Sequence, residues 1–420
     1  MKHRFMHVAD VHLDRPLDNL KRLDPRLAEE LASASRRSFA RTVDLAISEQ
    51  VAAFVVAGDL FDGPVRDAAA ALWVCRQFQQ LVRNGIEVVL IRGNHDANSG
   101  SGGAIQWPEG VYELSTSEPE TRLVESAGIA IHGQSFGARA ESSDLASKYP
   151  QPKNGWFNLG VLHTSLSGGA GHDTYAPTSI STLEAMDYDY WALGHIHIRS
   201  QSSLSDRCFV GFSGNTQGCH IRESGPKGCQ IVTVEDGRLA DIKFAPTDSV
   251  RWHECELDLS DTEQLQECPI LLEAVEPELE QAADGRPLAL RIKLTGDSPL
   301  HRELTTPASY SHLSEEFADT LTQMGNYWLE KLKVDTSPAC TLQLANFDLP
   351  VKYLQQATSE AQSEGVFREE LEQSLEELFK KARTEIRAGD RSHEPNEESF
   401  EQQLHEAESL LIAKLTGEAS

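Results

Sequence analysis

At 420 residues the chain is too long for one ordinary hydrophobic core, so two or three domains are expected. With 40% hydrophobic and 25% charged residues it has the composition of a globular protein, and no run approaches the ~20 apolar residues of a membrane span. A net charge of −27 argues against a general polyanion binder, and seven scattered cysteines without a CxxC pair argue against a disulfide framework or a zinc ribbon. The opening MKHRFMHVAD runs directly into strand-like sequence without a secretory signal, so a cytoplasmic location is expected.

In chain order, RFMHVAD is a short apolar run ending in acid. A long helical stretch is predicted over roughly 25–50, with Leu27, Leu31, Phe39, Val43 and Ala46 or Ile47 at helical intervals. Between Arg15 and Arg41 basic residues outnumber acids, which reads either as a local basic lip or as a solvated helix face. AAFVVAGDLFD is a continuous apolar run suited to a strand covered on both faces; residues 67–83 look helical, and GIEVVLIRGNHD is a further buried strand. GIAIHGQSF, NLGVLHTS and DYDYWALGHIH repeat the pattern of strand followed by glycine or a polar cluster. CQIVTVEDGRLADIKFAP reads as a hairpin turning at Asp236–Gly237. Such alternation indicates a layered α/β domain over residues 1–250.

From 251 to 350 the character changes to a small α+β unit that includes PLALRIKLTG. Residues 351–420 are acidic and helical, with stripes of Phe367, Leu371, Leu375, Leu378, Ala382 and Ile386, then Phe400, Leu404, Ala407, Leu411 and Leu415. Two such helices form a hairpin whose apolar faces need a partner: each other, the rest of the chain, a second copy, or another protein.

Chemistry collects at the strand ends, where the loops of an α/β sheet gather. They read ADVH (Asp10, His12), GDLFD (Asp59, Asp62), GNHD (Asn94, His95), VLHTS (His163) and GHIH (His195, His197). Strand alternation would place the last two imidazoles on one face. Each motif alone is weak, but five in succession, each directly after an apolar run, point to one site. Carboxylate, amide oxygen and imidazole together suit two borderline divalent ions better than calcium or a thiolate metal site. A bridging carboxylate can hold ions roughly 3.5–4 Å apart, the spacing that clamps a phosphoryl group.

The ordered set D-x-H, GD-x-x-D, GNH-D, H and GH-x-H resembles the calcineurin-like metallophosphoesterase superfamily, and within it the SbcD-type DNA repair exonucleases. FSGNTQG and RESGPKGCQIVTV resemble segments of that branch, and the likeness covers residues 1–250 before fading. It implies a sandwich of two sheets flanked by helices, with 251–350 as an α+β cap and 351–420 as a helical tail. It also implies that Asp10, His12 and His197 hold one metal, that Asn94, His163 and His195 hold the other, and that Asp59 bridges them. A hydroxide between the ions would attack phosphorus in line, with His95 as the acid and Asp62 orienting it. Manganese is the implied ion, with iron, zinc or magnesium as alternatives. The implied partners are DNA and, through the tail, the coiled coil of an SMC-like ATPase.

Two positions depart from the branch: Asp62, where some family nucleases have histidine, and Asn215, where serine is commoner. The first makes exonuclease activity the firmer expectation over endonuclease activity. His7 matches a family position supporting the ligands, and Arg15 or Arg92, near the motifs, could contact phosphate or simply pair with an acid. The acidic charge keeps two alternatives open: a phosphodiesterase for nucleotides or other small phosphodiesters, and a regulatory adaptor of the ATPase.

Overall fold

The computed structural model describes residues 1–15, 25–63, 68–98, 105–166 and 175–339, together with a few isolated helical positions beyond. The expected tail hairpin, 351–420, therefore lies almost wholly outside the described residues. The chain resolves into two compact units. One comprises Met1–Glu254 with Pro277–Arg291 and Leu321–Glu330; the other comprises Cys255–Glu276, Ile292–Thr320 and Lys331–Ser420. Among the described residues no helix is long and apolar enough to cross a membrane.

Strands β1 (Lys2–Val8), β2 (Ala53–Ala57), β3 (Glu87–Ile91) and β4 (Val111–Glu113) share a six-stranded sheet with β11 (Gly228–Glu235) and β12 (Arg238–Pro246), in the order β12-β11-β1-β2-β3-β4. A second six-stranded sheet holds β5 (Glu120–Val124), β6 (Ile129–Gly133), β7 (Phe157–His163), β8 (Tyr190–Gly194), β9 (Ser200–Ser203) and β10 (Phe209–Phe212), in the order β5-β6-β7-β8-β10-β9. β1, β2 and β3 run parallel, as do β7 and β8, so the carboxyl ends in each set lie along one edge of its sheet.

The continuous apolar runs follow from two-sided burial. In β2, Ala53, Val55 and Ala57 pack with Ile129, Ile131, Leu159, Val161 and Ala192 between the two sheets. The alternate residues Phe54 and Val56 pack outward on Phe39, Val43, Val74 and Phe78 of the helices Ala34–Ser48 and Ala68–Arg83. The outer face of the second sheet buries Trp191, Leu193 and Phe212 with Leu183 and Tyr188. The result is two sheets flanked by helices, as the sequence led us to expect.

One predicted element divides. The stretch 25–50 forms two helices, Pro25–Ala32 and Ala34–Ser48. They break at Ser33, whose hydroxyl returns to the carbonyls of Glu29 and Glu30. The helical-interval residues Leu27, Leu31, Phe39, Val43 and Ala46 are nonetheless all buried. The hairpin turn forms where expected, with Asp236 (φ 50°) and Gly237 (φ 76°) both left-handed. A separate three-stranded sheet joins Arg251–Asp258, Leu288–Thr295 and Tyr327–Val334 in that order.

Candidate metal centre

Parallel pairing continues past the strand ends and draws the first two loops together. Asp10 N–H donates to Gly58 O, His12 N–H to Asp59 O and Leu13 N–H to Leu60 O, at 3.0–3.1 Å. Asp10, His12, Asp59 and His195 all have left-handed backbones (φ 50°, 44°, 52° and 97°). This conformation is costly for non-glycine residues and clusters at functional sites. Two glycines of the motifs are required by close approach. A Cβ on Gly58 would overlap His163 Nδ1, and one on Gly93 would overlap Asp59 Oδ1.

The strand-end side chains converge. His12 Nδ1 lies 3.0 Å from Asp62 Oδ1, and His197 Nδ1 lies 2.5 Å from Glu223 Oε1. Carboxylates only accept, so each Nδ1 carries a proton, and in the neutral ring the lone pair is then on Nε2. Those two Nε2 atoms stand 3.0 Å apart. His163 repeats the arrangement. Its Nδ1 donates to Ala57 O at 3.0 Å, which turns Nε2 toward Asn94 Oδ1 at 2.9 Å and Asp59 Oδ2 at 3.4 Å. Asp59 Oδ2 also lies 3.8 Å from His12 Nε2, while Asp59 Oδ1 accepts the His95 N–H at 2.9 Å.

Acceptors facing acceptors repel unless a cation lies among them, so this donor set fits metal ions. Two overlapping groups have ligand atoms mutually within 4.8 Å: Asp10, His12 and His197, and Asp10, Asp59 and His163. A third, His12, Asp62 and His95, adjoins them. The cluster is suited to two ions.

Electrostatics agree. Burial and the neighbouring Asp59 carboxylate keep Asp10 above its ordinary pKa, against the pull of His197, His163 and His12. Burial alone would depress His163, yet Asp59 and Asp10 carry it up to about 9. The pocket therefore favours positive charge at that position.

His95 stands beside this cluster. Its side chain is 32% exposed and its Nδ1 is 3.0 Å from Asp62 Oδ1, a hydrogen bond that raises its pKa despite partial burial. His195 joins through its ring, 5.3 Å centroid to centroid from His163, and its N–H donates to both oxygens of Asp10 at 3.0 Å. The expected strand alternation does not place the pair: β8 ends at Gly194, and the left-handed turn at His195 redirects the chain before His197. His7 lies in the core, its Nε2 donating to Leu193 O at 3.1 Å.

Three further residues of the quoted motifs, to which the sequence assigned no role, support the centre. Asp96, the last residue of GNHD, accepts from Leu60 N, Phe61 N and Gly93 N and ties two site loops together. Glu223 and Lys227, within RESGPKG, both reach His197. Of the two phosphate-contact candidates, Arg92 is bound by Glu113 at 2.5 Å, whereas Arg15 Nε lies 4.0 Å from Asp62 Oδ2 at the centre.

The sequence matches the calcineurin-like phosphoesterase family over residues 3–199, and the middle domain of metallophosphoesterase YhaO over 252–337. It is 34% identical over 298 residues to the uncharacterized metallophosphoesterase YhaO of Bacillus subtilis, covering 70% of this chain and 72% of that one. It is 24% identical over 279 residues to the DNA double-strand break repair protein Mre11 of Methanopyrus kandleri, covering 59% of this chain and 57% of that protein. Against an SbcCD nuclease component of Staphylococcus epidermidis the identity is 23% over 276 residues, covering 59% of this chain and 70% of that one. The motifs that converge in space are thus those of a known lineage, and the chain belongs to the calcineurin-like metallophosphoesterases, metal-dependent phosphoester hydrolases.

Proposed function

We propose that the protein is a two-metal, manganese-dependent phosphodiesterase acting as a DNA exonuclease in repair. Asp10, His12 and His197 would hold one ion, Asn94, His163 and His195 would hold the other, and Asp59 would serve both. The observation that carries this reading is the position of Asp59 Oδ2, 3.8 Å from His12 Nε2 and 3.4 Å from His163 Nε2. When bound, the two ions polarise the phosphoryl group and supply an activated water. The chain's own residues do the rest. His95, its Nδ1 anchored on Asp62 and its pKa raised, presents Nε2 as the acid that protonates the leaving oxygen. Arg15, whose Nε lies 4.0 Å from Asp62 Oδ2, is the guanidinium that would meet a phosphate.

DNA as substrate is supported by the relatives named for double-strand break repair and for nuclease activity. On this reading residues 251–350 form the cap, the protein works in the cytoplasm, and residues 351–420 dock on the coiled coil of an SMC-like ATPase.

One observation favours a second reading, a nucleotide or other small phosphodiester. Basic side chains of the candidate DNA-facing lip are engaged within the chain. Arg36 binds Asp14, Arg37 binds Glu30, Arg41 donates to Asp248 O at 2.7 Å, and Arg26 stacks on Trp328. The separating assay gives end-labelled single- and double-stranded DNA, in competition with a small chromogenic diester, to the manganese-loaded protein. Shortening of the DNA, lost in His95→Ala, supports the exonuclease; cleavage of the diester with DNA left intact rejects it.

A further inference from the structure

His197 is held at three points by one short segment, residues 213–228. Its Nδ1 donates to Glu223 Oε1 at 2.5 Å, and its carbonyl oxygen accepts from Lys227 Nζ at 3.2 Å and from Asn215 N at 3.4 Å. Glu223 is only 5% exposed. Its other oxygen, Oε2, is committed to Asn215 Nδ2 at 2.9 Å and Cys219 N at 2.7 Å, and the His220 ring approaches Oε1 at 3.4 Å. The carboxylate is thus oriented in advance with Oε1 turned to the His197 ring. The Asn215 departure from serine acquires a role: its amide nitrogen braces the group that braces His197.

The other histidines are supported differently. His12 Nδ1 is backed by the Asp62 carboxylate, whereas His163 Nδ1 is backed by the neutral carbonyl of Ala57. An imidazole whose Nδ1–H meets a carboxylate is fixed in the metal-binding tautomer and is the stronger base. Both imidazoles of the Asp10–His12–His197 half therefore have a carboxylate behind them, whereas His163, in the other half, has a peptide carbonyl.

We propose that Glu223 is a positioning residue that makes the Asp10–His12–His197 half of the centre fill first and bind its ion more tightly than the half containing Asn94 and His163. This rests on the two-metal reading above, and concerns the order of filling rather than the reaction. Glu223→Gln keeps the size of the side chain but removes the charge. Its amide nitrogen must face either His197 Nδ1, favouring the tautomer that cannot bind metal, or the Cys219 N–H, setting donor against donor.

The test is a calorimetric titration of the metal-stripped full chain with Mn2+, paired with electron paramagnetic resonance. The wild type is expected to take up two ions in two resolved steps, with an uncoupled manganese signal after the first equivalent and a spin-coupled pair after the second. In Glu223→Gln the first step weakens by about 10–100-fold and the steps merge. Asn215→Ser, which keeps the charge, retains both steps. Asn94→Ala retains the tight first ion and loses the second, giving a check that does not depend on how Glu223→Gln folds. Loss of the tight step in Asn94→Ala, or an unchanged first step in folded Glu223→Gln, overturns the proposal; so does Asn215→Ser matching Glu223→Gln, since bracing alone would then account for the effect. A wild type that binds fewer than two ions rejects the two-metal reading itself.

Discussion

His12 and His197 point their Nε2 atoms at each other across 3.0 Å, and each imidazole is fixed from behind by a carboxylate, Asp62 for the first and Glu223 for the second. Elements far apart in sequence are needed to create this confrontation. It stores no chemistry of its own, but with Asp10 and Asp59 beside it the pocket is disposed to hold cations.

In the proposed mechanism His95 is the proton donor. His95→Ala is expected to lower kcat by about 10²–10⁴-fold while leaving KM and metal stoichiometry unchanged. The loss should be large for a diester with a poor, alkoxide-like leaving group and small for an activated phenolate. Steady-state kinetics over a series of leaving groups would check this; a uniform loss across the series would remove the acid role.

Arg15 lies beside the candidate centre, its Nε 4.0 Å from Asp62 Oδ2. Arg15→Ala should raise KM for a phosphodiester by about tenfold, the scale of one charge-assisted contact at roughly 1.5 kcal/mol. Calorimetric metal affinity should not fall. If KM stays constant and metal binding drops instead, Arg15 supports the centre and does not touch substrate.

Gly58 occupies a left-handed conformation (φ 92°) directly against the His163 ring. Gly58→Ala combines backbone strain with a steric overlap that only movement of His163 relieves. A destabilisation of about 1–3 kcal/mol is expected, with a lower manganese stoichiometry. Thermal denaturation and metal analysis of the purified variant measure the two effects separately.

Burial holds the His7 pKa down to about 4, although its bond to Leu193 O opposes the shift. An unfolded chain returns this histidine to about 6.5, so between those pH values the unfolded state binds a proton that the folded state refuses. Folding stability attributable to His7 is therefore full above about pH 6.5 and is lost as pH falls toward 4. The slope approaches about 1.4 kcal/mol per pH unit. His7→Gln should flatten the stability profile over that window in urea denaturation series; an unchanged slope would show that His7 does not titrate as its burial requires.

Much of the architecture was legible because two-sided burial leaves a plain mark. AAFVVA has no polar residue to spare, and its alternate side chains fill two different cores. The metal-centre motifs were legible for a related reason: each follows an apolar run directly, so each had to sit at a strand end. What escaped the sequence depends on distant contacts. Nothing local shows that the strand carrying GHIH stops at Gly194, because the Asp10 carboxylate that receives the His195 N–H is 185 residues away. The basic cluster between Arg15 and Arg41 could be counted in advance, but its partners could not. Arg41 reaches the carbonyl of Asp248, 207 residues on. Glu223 lies in RESGPKG, a segment that resembles the branch, but only the fold reveals that it faces His197.

The most direct test is to strip the protein with a chelator and follow hydrolysis of a chromogenic phosphodiester while Mn2+ is restored. A two-metal centre predicts negligible turnover without metal, recovery that needs the second equivalent, and loss of that recovery in Asp59→Asn. Turnover that persists in the stripped protein, or reaches its full rate with one equivalent, would contradict it.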